Sequence, residues 1–261
     1  MLRLFRVEII LKGGIEMSGI RGKIWVTTDM KGKMEDMCGV STSCLKNKRC
    51  EAMSKIKGSI CEECYARNYL GFRKGCRDRF GENYDILNAS ILEEEDIPKF
   101  FEPMVRIEPF GDTGSVVHAK NYLQIPKASP NSEFGWFSKN SLFTYQAIKE
   151  GFEKPKNVTY INSSLKKNEP RVLKDFEKEF TDIIFTVYTL DYLKEHPEIN
   201  INCGLAKCRE CQMCYGKWKE IRDNENEILY VNEIVKSDQA KYKKWMKEKQ
   251  KKLEELMAQS K

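Results

Sequence analysis

With 261 residues, the chain is long enough to bury one sizeable core, or a core with an appendage. Hydrophobic residues make up 41% and charged residues 32%, and no apolar run approaches the roughly 18–20 residues of a membrane span, which argues against a helical membrane protein. The net charge is +6, and nine lysines against four acids in residues 236–261 carry five of those six charges, so the body is nearly neutral.

The opening MLRLFRVEIILKGG is interrupted by Arg3, Arg6 and Glu8 and lacks a small-residue cleavage site. It reads as a strand, FRVEIIL, or as sequence upstream of a start at Met17. Without an export signal the chain is expected in the cytoplasm, where cysteines stay reduced and available to metals. A second strand-like run, GKIWVTT, completes an N-terminal zone over about residues 1–31.

The zone over about 32–97 holds Cys38, Cys44, Cys50, Cys61, Cys64 and Cys76. Its first half is turn-rich; its second half reads as helix, with Tyr84, Ile86, Leu87, Ile91 and Leu92 near helical spacing. Over about 98–200, strand and helix alternate. MVRIEPF, EFGWFSK, NVTYINS and DIIFTVYT are the strands; VVHAKNYLQI, SLFTYQAIKEG, a segment around Val172–Phe180 and LDYLKEH are the helices. That alternation implies parallel βα units, too few for a closed eight-unit barrel. The expected fold is α/β, a partial or open (β/α) barrel-like parallel sheet with cysteine-rich metal-binding segments. The domain spans 1–235, with a C-terminal cysteine cluster over 201–216 and a basic C-terminal helix over 236–261. That basic tail is either a nucleic-acid contact or a solvated helix carrying pairs such as Glu248–Lys252.

The cysteines carry the chemistry. Cys203, Cys208, Cys211 and Cys214 follow the spacing C-x4-C-x2-C-x2-C. Four thiols so close converge only if the backbone wraps around something, and four thiolates suit tetrahedral zinc or a cubane iron–sulfur cluster. The successive x2 gaps are similar to a ferredoxin run, which favours iron. In the N-terminal group, Cys61 and Cys64 form a C-x2-C pair, with Cys38, Cys44 and Cys50 upstream in CGVSTSCLKNKRC. A cluster held by three of these thiols would leave one iron open to a small molecule; a structural zinc using the pair and two upstream thiols is the alternative. Cys76 reads as a buried side chain without a ligand role. His118 reads as packed or solvated, and His196 as a charge partner at a helix end. No P-loop, dinucleotide-binding glycine pattern or nucleophile elbow is present.

In order, Ser43–Cys44, Cys64–Tyr65–Ala66, a helical Asn83 or Asn88, VRIEPFGD with Gly111–Asp112, WFSKNS with Lys139, and the late cysteine cluster resemble the phage "gene product eighty-eight" domain family. The match runs over roughly residues 20–220. The family is similar to radical S-adenosylmethionine (SAM) proteins. The resemblance implies a site-differentiated 4Fe–4S cluster on Cys44, Cys61 and Cys64, and an auxiliary one on Cys203, Cys208, Cys211 and Cys214. The chain departs from the radical SAM pattern in having no C-x3-C-x2-C motif. At strand ends, Gly111–Asp112 is placed to accept hydrogen bonds from an ammonium or ribose, or to cap the following helix, and Lys139 to pair with a carboxylate. The expected function is a cytoplasmic iron–sulfur enzyme, in a host cell if phage-encoded, performing one-electron chemistry on an unidentified small or macromolecular substrate. S-adenosylmethionine is the candidate co-substrate. The alternative is a zinc-binding module without catalysis that contacts nucleic acid through its tail.

Overall fold

The computed structural model describes residues 17–28, 30–204, 206–224 and 227–259, and the expected FRVEIIL strand lies outside them. β1 (Met17–Arg21) and β2 (Ile24–Thr28) form an antiparallel hairpin closed at Gly22. Gly22 has φ +56°, and an added Cβ there would meet the Asp96 carbonyl oxygen at 2.1 Å, so only glycine fits. β3 (Cys38–Val40) pairs antiparallel with β2. From β3 onward all pairing is parallel, through β4 (Met104–Ile107), β5 (Glu133–Ser138), β6 (Val158–Ser163), β7 (Ile183–Tyr188) and β8 (Leu229–Ile234). The eight strands lie in chain order and the sheet does not close, so β1 and β8 are its edges.

Helices α1 (Lys48–Ser54), α2 (Tyr65–Phe72) and α3 (Lys74–Ala89) lie between β3 and β4. The next crossovers carry α4 (Val116–Lys127), α5 (Ser141–Lys149) and α6 (Asp175–Lys178). Short α7 (Leu190–Glu195), α8 (Cys208–Cys211) and α9 (Trp218–Ile221) precede β8, and α10 (Gln239–Gln259) ends the described chain. No helix is long and apolar enough to cross a membrane among the described residues.

The expected open α/β sheet is present, with two parallel strands beyond the four expected. β3 is only three residues long, inside a stretch that reads as polar loop, and β8 carries Asn232 and Glu233 in its second half. The helix expected around Val172–Phe180 shrinks to the single turn of α6: Val172 is 91% exposed, and only Phe176 and Phe180 at the far end reach the core. Ile91, placed on a helical face by its spacing, lies beyond the end of α3 and is exposed, while Leu92 is buried.

Alternation along each strand splits the sheet into two faces. Val105, Ile107, Phe134, Trp136, Val158 and Tyr160 turn toward α3, α4 and α5, where they meet Leu87, Ala119, Tyr122, Leu123 and Ala147. Edge-to-face contacts run through this core, Tyr122–Trp136 at 5.4 Å, Trp136–Tyr160 at 5.0 Å and Tyr160–Phe180 at 4.9 Å between centroids. On the second face Ile161, Ile183 and Val231 pack against Met213, Cys214 and Trp218 of the cysteine-rich C-terminal segment, whose Trp218 indole donates to Thr159 Oγ1. Gly135 allows this close approach, since a Cβ there would lie 2.8 Å from the Tyr215 ring and 2.9 Å from the Cys214 carbonyl. α10 pairs Lys244 with Glu248 and Lys251 with Glu255, rather than Glu248 with Lys252, consistent with its reading as a solvated basic helix.

Candidate metal centres

All ten cysteines are free thiols. Cys38 stands apart from both thiol sets. It sits in β3 within the helix-side core, and its thiol hydrogen-bonds to Glu102, which also pairs with Arg21. Cys76 packs beside Tyr69, its sulfur 4.0 Å from the tyrosine hydroxyl.

The first set gathers beyond the C-terminal ends of β3, β4 and β5, where open α/β sheets place their chemistry. Cys44 and Cys64 share a hydrogen bond, Cys50 lies within the field of both Cys44 and Cys61, and Cys61 within that of Cys64. Cys44 and Cys64 are thus hydrogen-bonded partners, with Cys50 and Cys61 within electrostatic reach of the pair. Cys64 stands at the N-cap position of α2; the hydrogen bond from Cys44 and the amides of Arg67 and Ala66 pull its thiol pKa below the ordinary value. Burial pushes Cys50 and Cys61 up, with Lys139 opposing it in both.

The loop that carries Cys44 is pinned from below. Glu108 follows β4 at φ 57° and accepts from the Thr42 amide (3.1 Å), the Thr42 hydroxyl (2.5 Å) and the Tyr122 hydroxyl (2.8 Å). Gly111 packs so tightly here that a Cβ would lie 2.4 Å from Glu108 Oε2 and 2.6 Å from Thr42 Oγ1. Asn83 Nδ2 donates to the Ser41 carbonyl. Asn47 Oδ1 caps α1 through the Arg49 and Cys50 amides, and its Nδ2 donates to the Asp112 carbonyl at 2.8 Å. Asn47→Ala is expected to lower stability by about 1–2 kcal/mol, read from a urea-denaturation midpoint, because a cap and a buried hydrogen bond go together.

Asp112 is buried and turned inward. It accepts from the Ser138 hydroxyl at 2.7 Å, the Lys139 amide at 3.0 Å and the Thr113 amide at 2.8 Å. The cap of α4 is Ser115, not Asp112. Asp112 thus positions the end of β5, whose Lys139 carbonyl also accepts from Arg49 and Arg171. Lys139 does not pair with a carboxylate among the described residues; its ammonium acts on Cys50, Cys61 and Cys64. Arg49, Arg67 and Arg106 are likewise half-buried without a carboxylate partner among the described residues.

The second set lines one cavity of about 80 Å³, which Cys203, Cys208, Cys211 and Cys214 share with Lys33, Met213 and Tyr215. Lys33 Nζ lies 3.0 Å from Cys203 Sγ and 2.6 Å from Glu233 Oε1. Burial raises the thiols of Cys203, Cys208 and Cys214, opposed by Lys33 at all three and by Arg106 at Cys208 and Cys214. Lys207–Glu35 and Arg209–Asp36 ion pairs tie this segment to the loop before β3. Among the described residues, no three His, Cys, Asp or Glu side chains close on one point as a single ion needs. An open groove of about 490 Å³ along α3, lined by Lys46, Arg77, Asp78 and Asp85, includes none of the cysteines.

Comparison with protein families, curated proteins and solved structures finds no match. The site therefore rests on its own chemistry. Thiols must lose their protons to bind metal, and each set has cations beside it that offset the resulting negative charge. Thiol donors beside cations are the chemistry that suits an anionic, thiolate-bound group, although among the described residues no three of them close on one point. Lys33, Arg106, Glu108 and the cations Arg49 and Arg67 are site residues that sequence reasoning did not single out; no local motif marks them.

His118 is fully buried, accepts from the Gly114 amide at Nδ1 (3.0 Å), and so presents its Nε2 proton toward Glu108 Oε1 at 3.5 Å. Burial lowers the His118 pKa from 6.5 to about 3. The unfolded chain takes up this proton first, so stability falls as pH drops below 6.5. Burial raises Glu108 from 4.5 to about 7, against hydrogen bonds from Thr42 and Tyr122. Here the folded chain holds the extra proton, so stability rises as pH drops from about 7 to 4.5. The two effects oppose each other in the wild type. Glu108→Gln removes one of them, and its urea midpoint should fall from pH 6.5 to 4.5, the window over which the two wild-type contributions cancel. Equal slopes would contradict this assignment.

Proposed function

We propose that the chain is an iron–sulfur protein that performs one-electron chemistry on a small molecule at the C-terminal ends of its parallel strands. The observation that carries this reading is the gathering of Cys44, Cys50, Cys61 and Cys64 at those ends, among half-buried cations that lack carboxylate partners. The resemblance to the "gene product eighty-eight" family and to radical SAM proteins agrees with it, and makes S-adenosylmethionine the candidate co-substrate.

Cys44, Cys61 and Cys64 would hold a 4Fe–4S cluster, with Cys50 beside them, and the second set would hold an auxiliary one. A cluster bound there supplies one-electron reduction. The chain's own part is positional. Lys139, Arg49 and Arg67 offset thiolate charge, Glu108 and Asn47 hold the Cys44 loop, and Asp112 fixes the backbone that presents Lys139. Protein purified without oxygen is expected to be brown and to contain iron and acid-labile sulfide in equal amounts. A colourless protein with stoichiometric zinc would overturn the proposal.

The exposed, lysine-rich α10 favours a second reading, a zinc module that contacts nucleic acid. It requires nucleic-acid affinity that falls steeply with salt and disappears when the chain is cut after Lys236.

A further inference from the structure

The stretch that carries the second thiol set enters the left-handed region twice, at Gln212 (φ 55°) and Gly216 (φ 97°). Between them the chain turns back onto β5 and lays the Tyr215 ring against Gly135, where a Cβ would come within 2.8 Å of it. The ring packs with Met30, Met37 and Met104, and Cys208 and Cys214 pack against the same cluster. Tyr215 also lines the cavity that Cys203, Cys208, Cys211 and Cys214 share.

Tyr215 is 5% exposed, and its hydroxyl has no hydrogen-bond partner among the described residues. A buried tyrosine O–H normally finds an acceptor, because leaving it without one costs free energy. The groups that act on this hydroxyl are Arg106, Cys214 and Cys208. A guanidinium only donates, so Arg106 can occupy a lone pair of the phenol oxygen but cannot take its proton. The thiols are the acceptors left. A protonated thiol accepts weakly, whereas an ionised one accepts strongly, and metal binding is what ionises it. Lys33 already stands in this relation to the set, its Nζ 3.0 Å from Cys203 Sγ. The phenol is a second donor on the same cavity, and its acceptor exists once the thiols are thiolates.

We infer that Tyr215 is a positioning residue of the second metal centre, its hydroxyl donating to a sulfur there and raising the centre's reduction potential. The inference rests on the proposed function for the centre being iron–sulfur. A hydrogen bond to sulfur stabilises the reduced, more negative state more than the oxidised one, so removing it lowers the potential. Full-length protein prepared without oxygen is titrated potentiometrically and followed by electron paramagnetic resonance. Tyr215→Phe keeps the ring and should retain wild-type iron and sulfide. Its second centre should become about tenfold harder to reduce, about 59 mV for a one-electron couple, while the first stays in place. The Cys61→Ala background, which keeps only the second set's centre, identifies which potential has moved. Unmoved potentials, or a shift confined to the first centre, overturn the inference. Ring-deuterated tyrosine in Cys61→Ala protein supplies a second measurement, a deuterium coupling to the reduced centre in electron–nuclear double resonance. Absence of that coupling overturns the inference even if Tyr215→Phe fails to fold. Protein without iron overturns the proposed function and this inference together, whereas iron with an unmoved potential overturns the inference alone.

Discussion

Cys61→Ala protein, prepared without oxygen, is expected to keep roughly half the iron and acid-labile sulfide of the wild type, and Cys208→Ala the other half. The two residues belong to different thiol sets: Cys61 lies with Cys44, Cys50 and Cys64 at the strand ends, and Cys208 shares its cavity with Cys203, Cys211 and Cys214. Removing one thiolate opens a cluster to solvent and leaves the partner set intact. The double variant should hold neither metal nor sulfide. Cys38→Ala serves as the control, because this thiol packs outside both sets, in the helix-side core against Glu102. Full iron retention in Cys208→Ala would remove the auxiliary centre from the account, and loss of all iron in either single variant would mean that the eight thiols serve one centre.

Trp136→Ala should produce the largest loss of stability of any single core change, about 3–5 kcal/mol, visible as a lowered urea midpoint with little change in slope. Trp136 is fully buried in β5 and makes edge-to-face contacts with both Tyr122 and Tyr160, so truncation leaves a cavity that the flanking rings cannot fill. Its indole N–H has no hydrogen-bond partner among the described residues. Trp136→Phe keeps a ring and removes an unsatisfied donor, and should cost under half as much as the alanine change. A phenylalanine variant as unstable as the alanine one would show that the indole N–H meets a partner after all. The damage should also reach the first thiol set, because Tyr122 both packs on Trp136 and donates to Glu108 beneath the Cys44 loop.

Much of the α/β body was legible in the sequence. Strands such as β5 and β6 announce themselves through β-branched and aromatic runs, and α4 and α5 through apolar residues at helical spacing. The C-terminal cysteine cluster was legible because its four residues are close in the chain. β3 and β8 were not. β3 is too short for a period to register, and the polar residues of β8 serve contacts that only the fold creates: Glu233 accepts from Lys33, and Asn232 Nδ2 donates to the Asn200 carbonyl.

By itself the sequence determined an alternating strand–helix body with an excess of thiols in two places, since periodicity and composition are local properties. Only the tertiary structure decided which thiols meet. It moved Cys38 into a strand beside Glu102 and brought Cys50 to Cys44, Cys61 and Cys64. It turned Asp112 inward onto β5 and set Arg106, which has no carboxylate partner among the described residues, against Cys208 and Cys214. These are contacts between residues tens of positions apart, set by the order in which parallel strands stack, and no local pattern encodes which charge ends beside which.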